Sequence, residues 1–374
     1  MSADAPPIGS MDTVTAFPTL RQGLAAVDSA PPPLWAGGEI ETVGLLKAAL
    51  PAHRALAACA QALARTPLDP SALDALELLD AVGAVQLDGE AIDPRTVLES
   101  PAHRMDAAVA RQAAALALGS SSDDEVGSAA ALELAALVVG RTVAVRRGAP
   151  DPDEAGFGAT CAARRVPPLP RGAERLQGRL ERWQDFVRRD SGDLDPLLMC
   201  GTALAEWLAI RPFTSGNVRV GQLLVQLLLV EEDLLPLPAL PLSLHLSRHA
   251  DGCWQALQVT RAAAHPEPWL RFFLGAIEAS ARDTLGRLER WEAVLGTLPD
   301  ALGALLPKTP SHALVQLCAR PSFGLADAID TGLARRQTAA AWLARLVEGG
   351  VLREERAGKE KRFVNDTVIA ALLD

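Results

Sequence analysis

Residues 208–222 hold the densest set of groups in the chain that could meet a phosphate: Arg211, Pro212, Phe213, Thr214, Ser215, Gly216, Asn217, Val218 and Arg219, closing on Gly221 and Gln222. The Gly216-Asn217 pair followed by the apolar run 223–230 predicts a tight turn that opens a buried helix. Such a helix start presents free N–H groups and a positive dipole end, so weak anion binding at Gly216, Asn217 and Arg219 is expected. The plainer reading is that Phe213 is core, Gly216 is turn and Arg219 pairs with a nearby acid. Proton abstraction is a different matter. Arg211 offers five donors and no acceptor and stays protonated near neutral pH, so it cannot serve as a general base. A hydroxyl attacking a phosphate needs an imidazole or carboxylate within hydrogen-bond reach, and Ser215 supplies no metal-binding carboxylate either. Val218, being β-branched, resists positive φ and is expected to narrow the anion cradle.

This stretch resembles the active-site loop of the Fic family, His-Pro-Phe-x-(Asp/Glu)-Gly-Asn-Gly-Arg-x-x-Arg, and the likeness extends over nearly the whole chain. The resemblance implies a fold that transfers AMP or another phosphate-bearing group to protein hydroxyls. It aligns Arg211 with the histidine, Ser215 with the acidic residue, Val218 with the second glycine and Gln222 with the second arginine. Upstream, residues 80–89 resemble the family's inhibitory helix, (Ser/Thr)-x-x-x-Glu-(Gly/Asn). Ala84, Asp88 and Gly89 fill its positions. The resemblance implies a clamp between that acid and the second arginine, and here both halves are altered. Asp88-Gly89 also reads simply as a helix end with a glycine cap.

The elements that must position these residues are mostly helical. Hydrophobic residues make up 49% and aromatics 4%, with no Tyr, so sheet formers are sparse and helix formers abundant. The expected class is mainly α: a Fic-like helical bundle with a small β-hairpin flap, then a C-terminal winged helix-turn-helix. A length of 374 residues predicts several domains: an extended arm at 1–40 packing by Trp35, an N-terminal helical region at 41–140, a Fic-like core at 141–300 and the winged unit at 301–374. Helices are expected near 41–66, 71–87, 103–118, 124–140, 173–190, 194–209, 217–231, 243–260 and 268–295, with Asp69-Pro70-Ser71 as a start signal. Trp183, Trp207, Trp254, Trp269 and Trp291 read as core or groove anchors. The flap is expected within 144–171, made basic by Arg146, Arg147, Arg164 and Arg165, and it is a candidate site for a protein partner by strand pairing.

In the last seventy residues, 307–311 opens a short helix, 323–329 reads as a second, 331–338 leads into a third ending at 348–350, and 351–364 reads as a hairpin around Ala357-Gly358. Residues 331–366 contain eight Lys/Arg and five Asp/Glu, leaving +3 against −10 for the chain. Arg335 and Arg336 are expected at the amino end of the recognition helix, and Lys359, Lys361 and Arg362 on the wing, where they would meet duplex DNA.

The acidic balance excludes a protein whose whole surface binds nucleic acid or anionic membrane. Scattered Cys59, Cys161, Cys200, Cys253 and Cys318 suit reduced thiols, and no signal or membrane-spanning segment is read, so a soluble cytoplasmic protein is expected. His245 and His249 lie four apart without a third ligand, and Glu231, Glu232 and Asp233 read as a solvated helix end, so no metal site is assigned. The leading expectation is a catalytically silent Fic-like protein, a homodimer by analogy with the family. Its core would be a dimerising or ligand-sensing body that holds ATP or another nucleotide weakly at most, and its winged helix would bind DNA in a regulatory role. The alternatives are a protein-interaction pseudoenzyme using the flap groove, or a residual adenylyltransferase whose base is displaced to Asp88, Ser215 or a residue outside the loop.

Overall fold

The computed structural model describes residues 37–99, 107–121, 126–145, 173–188, 194–307, 311–330, 334–357 and 360–374. Residues 1–36 of the expected 1–40 arm, with Trp35, most of the flap with its four arginines, Cys161 and Lys359 lie outside the described residues, and the last four residues of that arm are helical rather than extended.

A short helix α1 (Gly37–Ile40) leads into α2 (Val43–Arg65), α3 (Pro70–Leu87), α4 (Pro94–Glu99), α5 (Ala107–Ser121) and α6 (Ser128–Val139). Thr42 starts α2 by accepting the Leu45 N–H at 3.2 Å. Leu45, Ala49, Ala52, Leu56, Cys59 and Leu63 then bury one stripe at helical spacing. Pro70 opens α3 as the start signal predicts, and Asp88 followed by Gly89 at φ 101° ends it.

Next come α7 (Ala173–Val187), α8 (Pro196–Ile210) and α9 (Asn217–Glu231). Asp195 caps α8 by accepting the N–H groups of Leu197 and Leu198 at 3.0 and 3.1 Å, while its other oxygen meets His53 of α2 at 2.8 Å. Burial alone would raise this carboxyl, but the His53 and backbone donors hold it below the usual range. Helices α8 and α9 are buried almost throughout, so together they form the centre of the body. The expected single helix at 243–260 is two, α10 (Leu242–Arg248) and α11 (Ala250–Ala263), with the break at His249. The last body helix, α12 (Glu267–Leu305), outruns its expected end because Pro299 is accommodated inside it. It packs along α2 and carries Trp269 and Trp291 into the core. Trp183 and Trp207 are buried with them, whereas Trp254 is half-buried.

The C-terminal unit runs α13 (Ser311–Cys318), β1 (Ser322–Gly324), α14 (Leu325–Asp330), α15 (Arg336–Glu348), β2 (Arg353–Ala357), β3 (Glu360–Val364) and α16 (Asp366–Leu373). The hairpin pairs Arg353 with Val364 and Ala357 with Glu360. One expectation is corrected: Phe323 and Gly324 belong to a strand, not a helix, because β1 adds to the hairpin in the order β1-β3-β2. Phe323 is thereby set against Phe363, ring centroids 5.9 Å apart. One hydrophobic cluster runs from Ile40 to Leu372, so the C-terminal unit shares the core of the body. No described helix is long and apolar enough to cross a membrane.

Candidate active site

The candidate loop hangs between the ends of α8 and α9. At the end of α8 Arg211 adopts φ 43°, a left-handed cap whose N–H donates to Trp207 O at 2.9 Å. Its Nε donates to Leu208 O at 3.2 Å, and the residue is 2% exposed. Asn217 then closes the turn: its Oδ1 accepts the Phe213 N–H at 2.8 Å and its Nδ2 donates to Phe213 O at 2.9 Å. Trp207 Nε1 donates to Asn217 O at 2.8 Å, and its ring meets Phe213 edge-on at 5.6 Å. Gly216 stands at φ 80° with Val139 Cγ2 only 2.8 Å from where a Cβ would lie, so both its backbone conformation and its space require glycine. Val218 lies buried inside α9 with no positive φ to adopt. Thr214 N–H donates to Ala144 O at 3.3 Å and Val145 bridges Phe213, so the chain entering the expected flap runs antiparallel to the loop.

Arg219 does not point at an empty cradle. Its Nε lies 2.9 Å from Asp88 Oδ2, its Nη1 donates to Val138 O at 3.3 Å, and Gln112 Nε2 donates to its carbonyl at 3.0 Å. Val138 O sits at the C-terminal end of α6, where the helix dipole favours cations, and it also accepts from Arg111. Asp88 thus grips the first motif arginine, one turn away from the pairing that the family pattern implies. Burial pushes the Asp88 carboxyl up, and Arg219 and Arg211 pull it back. Ala84, fully buried in α3, presents no hydroxyl and accepts the Asp88 N–H through its carbonyl at 3.2 Å.

Gln222, at the second arginine position, faces another element. Ser243 Oγ donates to its Oε1 at 3.4 Å, and Ser243 N–H donates to Asp80 Oδ1 at 2.7 Å. Asp80 is 1% exposed, and burial raises its carboxyl to about 7 against the opposing pull of Ser243 and Gln226. A second buried ionic group went unread in the sequence: Glu206 of α8 lies 3.2 Å from Arg179 of α7, with Arg261 of α11 close enough to act on both. Burial raises Glu206, while Arg261 falls to about 10 through burial and its arginine neighbours. No local spacing marks these partners, because they come from three separate helices.

The remaining candidates fall elsewhere. His245 and His249 stack at 4.3 Å, and no metal-binding cluster of His, Cys, Asp and Glu occurs among the described residues. Cys59, Cys200, Cys253 and Cys318 are buried free thiols. Glu232 caps α9. Arg335 and Arg336 are exposed at the amino end of α15. Lys361 pairs with Glu354 at 3.0 Å, and Arg362 donates to Ser322 Oγ at 2.7 Å.

Residues 300–368 match the family profile described as protein adenylyltransferase SoFic-like, C-terminal domain. The fold is similar to the crystal structure of a Fic family protein from Desulfovibrio desulfuricans G20, with a TM-score of 0.50 at 16% identity over 90% of this chain and 98% of that one. The C-terminal residues thus match a domain of SoFic-like proteins, and the chain as a whole shares the fold of a Fic family protein. A further structure, residues 134–508 of Fic-1 from C. elegans, aligns at a TM-score of 0.45 and 19% identity over 66% of this chain and 73% of its own.

Proposed function

We propose that this protein is a Fic-family pseudoenzyme, with its body retained as a dimerising or ligand-sensing scaffold and its C-terminal unit acting as a winged helix on duplex DNA in a regulatory role. Fic proteins usually transfer AMP. The observation that carries the proposal is Arg211, a buried donor-only side chain folded onto its own helix end where transfer would need a proton acceptor. The engagement of Arg219 by Asp88 and Val138 O supports it, since a phosphate would have to displace both. Nucleotide binding at Gly216, Asn217 and Arg219 is correspondingly weak or absent in this reading. For the C-terminal role, support comes from Arg335 and Arg336, both exposed where α15 begins.

Incubation with labelled ATP, Mg²⁺ and cell lysate should leave all protein unlabelled, and Arg211→His alone should stay silent. A labelled band that vanishes when Arg211 is substituted overturns the proposal. On random duplex, Arg335→Ala/Arg336→Ala should lower affinity and reduce the salt slope by about 2. Unchanged binding rejects the DNA role. A second reading, a protein-binding groove beside the loop, is favoured by the antiparallel bridge between Val145 and Phe213, with Val145 37% exposed.

A further inference from the structure

Helix α2 is apolar on two sides. Its inward stripe is spent against α12, and its outward stripe exposes Val43 at 68%, Leu46 at 38% and Leu50 at 51%, spaced i, i+3 and i+7. A helix with one buried face normally turns charge of both signs to water on the other. Here the outward stripe continues through Lys47, Arg54 and Ala57 to Ala64, and α2 contains no acidic residue at all, in a chain of net −10. Acids on the flanking elements are already committed: Glu41 accepts the Asp195 N–H at 2.7 Å, Asp195 holds His53 at 2.8 Å, and Glu267 holds Arg271 at 2.7 Å. Val43 to Ala64 spans roughly 30 Å at 1.5 Å per residue, room for several turns of a second helix.

We infer that this face docks an acidic amphipathic helix of a partner protein, with apolar side chains seated on Val43, Leu46 and Leu50 and carboxylates set opposite Lys47 and Arg54. A second copy of the chain packed two-fold through the same stripe would bring Lys47 and Arg54 onto their own kind, which disfavours self-pairing. The small side chains toward Ala57 and Ala64 let a partner backbone approach closely.

The test uses the full-length chain and two fluorescent helical peptides of one design, Leu at i, i+3 and i+7, with Glu at the remaining outer positions in one and Lys in the other. The acidic peptide should bind and weaken with added salt, and the basic one should not bind. Lys47→Glu/Arg54→Glu should weaken the acidic peptide about tenfold or more, and Leu50→Asp likewise, with helical content and Tm unchanged in both variants. Equal binding of the two peptides, or affinity unmoved by these substitutions, overturns the inference. So does recruitment to vesicles containing phosphatidylglycerol without peptide binding, which would make the face a membrane contact. A photo-crosslinker at position 50 that captures residues 1–36 of the same chain would likewise overturn it.

Discussion

At the residue scale, Asp80 shows how burial turns a carboxyl into a pH-dependent element of stability. Its folded value near 7 lies above the ordinary 3.8, so the folded state holds the proton more tightly than the unfolded one. Stability from this group is full below about pH 4 and is lost as pH rises through 7. Glu77 reinforces the trend, being raised to about 7 by burial and by the charges of Asp74 and Asp80. Asp80→Asn should therefore raise Tm above the parent at pH 8, with the difference shrinking toward pH 5. A difference constant across that range would contradict the assignment. Asp88 makes a complementary case: Asp88→Ala leaves the nearly buried Arg219 guanidinium without its carboxylate and should cost about 3 kcal/mol in denaturant unfolding. A loss under about 0.5 kcal/mol would mean the pair is solvated like a surface bridge.

At the element scale, α3 and α10 cross at a glycine. A Cβ on Gly83 would stand 2.0 Å from Leu244 N and 2.2 Å from Ser243 C, and backbone cannot move aside as a rotamer can. Gly83→Ala should push α10 away and destabilise the fold by about 3 kcal/mol, the upper end for overpacking. Gly275→Ala on α12, where a Cβ meets nothing within 4 Å, should instead stabilise by up to about 1 kcal/mol. Matching effects at the two sites would refute the close crossing. Much of this layer was legible: the start of α3 at Asp69-Pro70, its end at Asp88-Gly89 and the bounds of α9 all rest on signals within a few residues of each other. The break between α10 and α11 and the continuation of α12 past Pro299 were not legible, since surrounding packing overrides local preference there. Strand β1 was misread for the same reason, as three residues become a strand only when β3 lies beside them.

At the scale of the whole molecule, the C-terminal unit is tied down by side chains from the body. Arg287 Nε donates to Leu372 O at 2.8 Å and Arg290 Nε to Ala371 O at 3.1 Å, satisfying the last carbonyls of α16. Trp291 Nε1 reaches Ala319 O at 2.7 Å, and Arg353 bridges Glu99 of α4 and Asp366 of α16. Arg287→Ala should cost about 1–3 kcal/mol and speed amide exchange in α16 more than in α8. Exchange in α16 that matches the parent's would show the anchoring is redundant.

The sequence by itself determined that the chain is mainly helical, that a turn at Gly216-Asn217 opens a buried helix, and that Arg211 brings no base to it, because these follow from residue type and short-range spacing. Only the tertiary structure decided which acid Arg219 meets, that Glu206 pairs with Arg179 within the electrostatic reach of Arg261, and that Asp80 is sealed under Ser243. Those partners stand 27 to 163 positions apart in sequence, and electrostatic and packing energies depend on distance in space, which no local pattern encodes.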